Sequence, residues 1–284
     1  MTQKNQSQNN IPSIPPFVFF GGPEISVDFL DTLLIGGLQP SIIITTPDKP
    51  SGRKMKLTSP PLKIWADKQN IPVHQPSSLK KFDVSVITGY PLFVVVAYGK
   101  IIPQSILDIP EHGSVNLHPS LLPHYRGPSP IISAMLDDEK KTGVSLMLLD
   151  ALMDHGPIIS QQITPIDEWQ KNRDTEHFFA TTGAELFLRT IPLYLSDKIT
   201  PTKQDHAQAT ECRKFEKSDM EIDPTKPRQA YLKYCAFPKP FFFLNNDRII
   251  VTDAEWKNND FVINTIVPAG KKEMSWIHFK QSRQ

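Results

Sequence analysis

Short apolar runs alternate with amphipathic stretches along the first half of this sequence. The intervening stretches, such as 61–69, repeat apolar residues at helical spacing. Runs that are apolar on both faces are typical of strands in a parallel sheet covered by helices. The alternation therefore predicts a doubly wound, Rossmann-like α/β domain. Its predicted strands include 17–20, 41–46, 92–97, 114–117 and 143–149.

The pattern changes after a long amphipathic stretch at 175–195. Residues 197–209 are polar and contain proline, which indicates a linker. Short strand-like runs with turn signals follow, so we expect a small OB-like β-barrel. The Gln- and Asn-rich start predicts a disordered lead-in. The predicted division is a lead-in at 1–15, an α/β domain at 16–197, a linker at 198–212 and a shortened C-terminal barrel at 213–284.

Composition excludes several classes of protein. Hydrophobic residues make up 39% and charged residues 21% of the 284 residues, a balance typical of soluble globular proteins. No uncharged apolar stretch reaches the ~18 residues of a membrane-spanning helix, and the N-terminus lacks the apolar core of a signal peptide. The two cysteines form no C-x-x-C pair and suit a reducing compartment. We therefore expect a cytoplasmic protein without a membrane segment.

The segment 114–118 carries the most informative motif. Alternate residues of a strand share one face, so Asn116 and His118 should project together near the edge where α/β sheets bind ligands. An amide that can hold an oxyanion beside an imidazole that can move a proton suits acyl transfer. Asp154, after a later predicted strand, could orient and polarise His118. A lone histidine is otherwise more often a structural hydrogen-bonding residue.

Other kinds of site are weaker interpretations of the sequence. Three histidines and Asp154 do not have the spacing of a metal motif, so we predict no metal. The glycines at 21–22 lack the G-x-G-x-x-G pattern of an NAD-binding turn. The phenylalanines of 237–243 could stack on RNA bases, but they also suit the core of a barrel.

These motifs resemble those of the folate-dependent formyltransferases. The signature of that family is Asn-x-His, Ser-Leu-Leu-Pro-x-x-Arg-Gly and a downstream Asp-x-Gly, which here occupy 116–118, 120–127 and 154–156. Within the family, the chain is most similar to the branch that acts on methionyl-tRNA. The segments that carry this closer similarity are 46–63, 73–76, 94–103 and 268–274.

The resemblance implies transfer of the formyl group of 10-formyltetrahydrofolate to an amine. It implies that Asn116 holds the oxyanion, that His118 transfers the proton and that Asp154 positions His118. It also implies a folate site along two loops, with the pterin ring bound largely by backbone groups. The residues expected to bind folate are Ala97, Tyr98, Gly99, Ile101, Ser120, Leu121, Leu122, Pro123 and Asp150.

The segment 48–63 is strongly cationic. A loop of this kind is usually a solvated surface, but the resemblance implies that it contacts the phosphates of methionylated initiator tRNA in a salt-sensitive interaction. We expect the protein to act as a monomer. The residues expected to contact tRNA are Lys49, Arg53, Lys54, Lys56 and Lys63.

Two departures from the family pattern bear on function. Ile25 occupies a position that is usually aromatic, so we expect a change in how the methionine side chain is held. The C-terminal domain is shorter than usual, which should weaken tRNA docking. A sugar-nucleotide N-formyltransferase, which would keep the same three catalytic residues but not 46–63, is the alternative. A formyltetrahydrofolate hydrolase and a non-catalytic RNA-binding relative are further hypotheses.

Overall fold

The computed structural model describes residues 13–51 and 55–282, and these form thirteen strands and seven α-helices. The strands are β1 (Phe17–Gly21), β2 (Ile42–Ile44), β3 (Lys49–Ser51), β4 (Lys56–Thr58), β5 (Val73–His74), β6 (Leu92–Val96), β7 (Ser114–His118), β8 (Lys141–Leu148), β9 (Ile158–Pro165), β10 (Phe241–Leu244), β11 (Asp247–Lys257), β12 (Asp260–Pro268) and β13 (Met274–Ser275). The helices are α1 (Glu24–Ile35), α2 (Pro61–Gln69), α3 (Gln104–Leu107), α4 (Pro130–Leu136), α5 (Asn172–Leu195), α6 (Pro227–Ala236) and α7 (Trp276–Gln281). Most of the lead-in expected at 1–15 lies outside the described residues.

A seven-stranded sheet with the order β5-β2-β1-β6-β7-β8-β9 organises the N-terminal part of the chain. The first five strands in this order, from β5 through β2, β1 and β6 to β7, are parallel, as the buried apolar runs predict. Strands β8 and β9 are antiparallel to their neighbours, which the sequence reasoning did not foresee. The connection between β8 and β9, residues 149–157, is shorter than the dozen or so residues of a parallel crossover.

Both faces of this sheet are covered. Phe17 and Phe19 of β1 belong to a large buried cluster with α1 and α5, whereas Val18 and Phe20 belong to a second cluster on the opposite face. Adjacent residues of one strand therefore enter different cores, as in a sheet with helices on both sides. The predicted doubly wound, Rossmann-like class is confirmed.

The C-terminal part forms the predicted small β domain. Its antiparallel sheet has the order β10-β11-β12-β13, and α6 packs against β11 and β12. The first and last strands of this order are different, so the described sheet is open rather than a closed barrel. Tyr231, Ile249 and Phe279 belong to the same buried cluster as the α1 and α5 residues, so the two parts share a continuous core.

The segment predicted as a linker follows the surface of the α/β domain. Ile158 and Thr202 exchange two backbone hydrogen bonds of 2.8 Å, and Arg126 forms backbone hydrogen bonds with Thr210 and Cys212. These contacts fix the segment at both ends. No helix of the described residues has the length and apolarity needed to span a membrane.

Candidate active site

The predicted catalytic pair lies on β7 in the interior of the sheet. Asn116 is 8% exposed and His118 is 4% exposed, while Val115 and Leu117 point into the core on the other face. The alternation places the amide and the imidazole on one face, as predicted. A strand buried between β6 and β8 is a rigid support for both side chains.

The imidazole of His118 lies between a backbone carbonyl and a carboxylate. Its Nε2 is 2.9 Å from the carbonyl oxygen of Tyr125, and its Nδ1 is 3.6 Å from Oδ2 of Asp154. A carbonyl only accepts hydrogen bonds, so Nε2 carries a hydrogen and donates it. In the neutral ring Nδ1 is therefore the basic nitrogen, and a proton gained there would face the Asp154 carboxylate.

Asp154 lies beside His118 although β8, the strand before it, ends next to Val115 at the opposite end of β7. The end of β8 pairs with Val115, whereas His118 pairs with Ser145, so the loop that follows β8 must bend back toward His118. In that loop Asp154 adopts a left-handed backbone conformation with φ +50°. Its Oδ2 accepts a 2.7 Å hydrogen bond from the backbone N–H of Gly127, which fixes the carboxylate beside the imidazole.

The carboxamide of Asn116 has no hydrogen-bond partner within the described part of the chain. Its amide atoms are not among the fully buried unpaired polar atoms of the described residues, so the carboxamide keeps contact with solvent. The amide is therefore free to donate to an oxygen atom of a bound molecule, which is the role an oxyanion site requires.

The loop after β6 offers mostly backbone groups. Ala97 and Gly99 have left-handed conformations with φ +49° and +72°. The ring of Tyr98 is buried edge-on against Phe20, and burial raises the pKa of Tyr98 to about 12. Ile101, in contrast, is 86% exposed. A ligand at this loop would thus meet the backbone of 97–99 and the side chain of Ile101, whereas the Tyr98 ring faces the core.

The second predicted folate loop is held by internal hydrogen bonds. The Ser120 hydroxyl donates to the carbonyl of His124 over 2.6 Å. The N–H of Leu122 donates to Ser145, and its carbonyl accepts from Gln161. Leu121 and Pro123 remain half-buried at the surface, so their side chains are the ones available to a ligand.

A pair of stacked histidines flanks the Asp154 loop. The rings of His155 and His206 are parallel within 5° and their centroids are 4.0 Å apart. Nδ1 of His155 is 2.7 Å from Asp150, the last of the predicted folate residues. Desolvation and the nearby His155 and Arg126 lower the pKa of His206. No group of three potential ligand residues in the described ranges is arranged to hold a metal ion.

Comparison with known proteins decides the family. The model of the formyl transferase family matches residues 17–191. The chain belongs to the formyl transferase family. A methionyl-tRNA formyltransferase of Geobacillus sp. (strain WCH70) is 39% identical over 213 residues, which are 74% of this chain and 67% of the relative.

Solved structures of formyl transferases have the same fold. A methionyl-tRNA formyltransferase from Clostridium thermocellum aligns with a TM-score of 0.61 and 16% identity, covering 90% of this chain and 99% of that chain. An N-formyltransferase from Helicobacter canadensis in complex with folinic acid and dTDP-3-aminofucose also aligns with a TM-score of 0.61, with 20% identity over 92% of this chain and 99% of that one. The fold therefore does not distinguish the two kinds of formyl transferase.

The cationic segment of this formyl transferase forms a hairpin of β3 and β4. Asp48 accepts hydrogen bonds from Gln75 and Ser59, which fix the base of the hairpin. Lys49 and Lys56 are exposed, whereas Lys63 pairs with Asp67 on its own helix over 2.7 Å. The predicted Arg53 and Lys54 lie outside the described residues.

Sequence reasoning missed several groups around the predicted catalytic residues. The carbonyl of Tyr125 has no sequence signature, because every residue has one. Arg126 and Gly127 were noticed as part of a motif, but their partners were not foreseen. Gln204 was placed in the linker, and only its buried position at 6% exposure marks it as unusual.

Proposed function

We propose that this formyl transferase moves the formyl group of 10-formyltetrahydrofolate to the α-amino group of methionyl initiator tRNA, for translation initiation. The observation that carries the proposal is the buried arrangement of Asn116, His118 and Asp154. The similarity to methionyl-tRNA formyltransferases over most of the chain supports this acceptor rather than an amino sugar.

Each catalytic side chain has one task in the proposed transfer. The folate, when bound, supplies the formyl group. As the amine adds to the formyl carbon, Asn116 donates a hydrogen bond to the oxygen that becomes negative. His118 takes the proton that the amine loses onto Nδ1, and Asp154 stabilises the resulting imidazolium. His118 then returns the proton to the leaving nitrogen as the carbonyl re-forms.

The residues present fit a flat, largely apolar folate. Exposed Ile101, Leu152 and Met153 offer apolar contact on two loops, and Asn116 offers a buried amide without a protein partner. The left-handed backbone at Ala97 and Gly99 presents peptide groups on the loop after β6. Planar heterocycles with polar edges are commonly bound by this combination of apolar walls and a few fixed polar groups.

Contact with tRNA would involve the hairpin of β3 and β4. Exposed Lys49 and Lys56 stand on its two strands, and Lys49 pairs with Thr58 while Lys56 pairs with Ser51. Phosphate contacts of this kind supply affinity that falls with salt. Lys63 contributes less, because Asp67 already neutralises it.

A transfer assay tests the proposal. Purified protein with 10-formyltetrahydrofolate is offered methionylated initiator tRNA and, separately, a panel of amino-sugar nucleotides. We expect formylation of the tRNA alone, and a loss of at least about 100-fold in kcat for His118→Ala. Transfer only to a sugar would replace the proposal by the sugar-nucleotide alternative, and hydrolysis without transfer would support the hydrolase.

The same assay tests the hairpin. The double variant Lys49→Ala with Lys56→Ala should raise KM for tRNA, and the increase should shrink at high salt. Lys68→Ala, which removes an exposed lysine from α2, serves as the control. An unchanged KM in the double variant would exclude the hairpin from the tRNA contact.

A further inference from the structure

The guanidinium of Arg126 is buried beside the candidate active site without a carboxylate partner in the described residues. Arg126 is 9% exposed, and no ion pair within the described ranges includes it. Its Nε and Nη2 donate to Oε1 of Gln204 over 3.1 and 2.6 Å, and Nη2 is 2.9 Å from Nδ1 of His206. A buried cation needs compensating acceptors, so Gln204 is its principal anchor.

The amide of Gln204 connects Arg126 to the loop that carries Asp154. Its Nε2 donates to the carbonyl of Asp154 over 2.9 Å and to the carbonyl of Gly156 over 2.7 Å. Arginine only donates and carbonyls only accept, so the partners fix the orientation of this amide. Gln204 thus accepts from the Arg126 guanidinium through Oε1 and donates to two carbonyls of the Asp154 loop through Nε2, so its amide connects the two.

The loop held by Gln204 depends on such support. Asp154 has a left-handed conformation that side chains rarely adopt, and such backbone persists where neighbours over-determine it. A Cβ on Gly156 would lie 2.0 Å from the carbonyl oxygen of Leu148, so the loop also passes close to the end of β8. Gly127 holds the Asp154 carboxylate, and Gln204 holds its carbonyl.

We propose that Gln204 is a positioning residue for the transfer reaction, holding Asp154 beside Nδ1 of His118 with Arg126 as its anchor. This inference rests on the proposed function in one respect, the action of Asp154 on His118. The backbone hydrogen bonds of Thr202 with Ile158 and of Arg126 with Thr210 hold Gln204 beside the Asp154 loop. One residue of the segment between the domains thereby supports the candidate active site.

The consequence concerns kcat rather than substrate binding. A displaced Asp154 stabilises the His118 imidazolium less, and that ion forms only as the reaction proceeds. Errors of about 1 Å in a catalytic group commonly cost about 100-fold in rate. Gln204→Ala should therefore lower kcat about 10- to 100-fold and change KM for either substrate less than about 2-fold.

Gln204→Glu separates the contact of residue 204 with Arg126 from its contacts with the Asp154 loop. A glutamate keeps the acceptor for Arg126 but directs carboxylate oxygens at the carbonyls of Asp154 and Gly156, so the fold should persist while kcat falls as in Gln204→Ala. Gln208→Ala is the matched control, because Gln208 is an exposed glutamine of the same segment. Wild-type kcat in Gln204→Glu would overturn the inference.

A double-mutant cycle gives a readout that a merely structural role would not move. If Gln204 acts through Asp154, Gln204→Ala should cost less than about 2-fold in an Asp154→Asn background. The same loss of kcat in both backgrounds would overturn the inference. Should the wild type use an acceptor other than tRNA, the proposed function fails, and the same ratios are measured with that acceptor.

Discussion

At the scale of single residues, Asn116 is a buried amide without a partner in the described part of the chain. Removing it should cost the protein little, because no internal hydrogen bond is lost. Removing an oxyanion donor commonly costs about 100- to 1,000-fold in rate. We therefore expect Asn116→Ala to lower kcat by about that factor, with a melting temperature equal to or above that of the wild type.

Steady-state kinetics and thermal denaturation of the same preparation check this prediction. Asn116→Asp is the sharper variant, since it places a negative charge where the oxyanion develops and should be at least as slow. If Asn116→Ala melts well below the wild type, the side chain has a structural partner and the assigned role is incorrect.

The sequence was most informative at these individual positions. Asn116 and His118 could be paired from strand alternation alone, and the structure places both on the face of β7 opposite Val115 and Leu117. The contacts that surround them were not predictable, because the Tyr125 carbonyl and the Gly127 N–H belong to the backbone. The resemblance implied that Tyr98 contacts folate, and this stays a prediction. Because the Tyr98 ring packs against Phe20, the contact would involve the Tyr98 backbone.

At the scale of secondary-structure elements, α5 meets β7 at Gly183. A Cβ on Gly183 would lie 2.4 Å from Cδ1 of Leu117, far inside van der Waals contact. Leu117 is buried between Asn116 and His118 along the strand, so its displacement moves both. Overpacking costs about 1–3 kcal/mol, against about 1 kcal/mol gained from helix propensity.

Gly183→Ala should therefore lower the free energy of unfolding by about 1 kcal/mol and reduce kcat. Denaturant unfolding and the transfer assay measure the two effects. Glu185→Ala, at an exposed position of the same helix, should leave both unchanged. A Gly183→Ala protein with unaltered kcat would mean that Leu117 can rotate without moving β7.

Element directions were harder to predict than element positions. The apolar run of β8 is recognisable, but an apolar strand buried on both faces does not reveal whether it is parallel to its neighbour. β9 was not predicted from the sequence. In the structure its side chains alternate between more and less exposed positions, as in an edge strand. The short β8–β9 connection was the available signal for an antiparallel pair.

At the scale of the whole molecule, Arg228 joins the C-terminal part to the α/β domain. From α6 it donates two hydrogen bonds to Asp138, over 2.9 and 2.5 Å, and one of 2.7 Å to Glu168. These groups are partly exposed, so we expect Arg228→Met to lower the free energy of unfolding by about 1–2 kcal/mol at pH 7.

The effect should depend on pH. Hydrogen bonding from Arg228 holds the pKa of Asp138 below its usual 3.8. The stabilisation is thus complete above about pH 4 and is lost as the pH falls through the folded-state value. The difference in melting temperature between Arg228→Met and the wild type should shrink as the pH falls below about 4. Lys226→Met, at an exposed site, is the control, and a difference that persists into acid would argue against this pair.

A small β domain after an α/β domain was predictable, but the contacts of the segment between them were not. A polar, proline-containing stretch indicates a linker, and its hydrogen bonds to residues 123–127 and 154–158 leave no periodic pattern in the sequence. The small β domain was expected as a barrel. Its four strands in linear order were not foreseen, since strand runs do not specify closure.

The attachment of residues 202–212 also limits how enzymes of this kind can be recombined. A chimera joined at residue 197 would take its residue at position 204 from the other protein. The hydrogen bonds from Gln204 to the Asp154 loop would then be changed or lost. A junction after residue 212 keeps Gln204 and its contacts together with their own α/β domain and exchanges only the C-terminal part. Natural replacement of the C-terminal part should occur at the same junction.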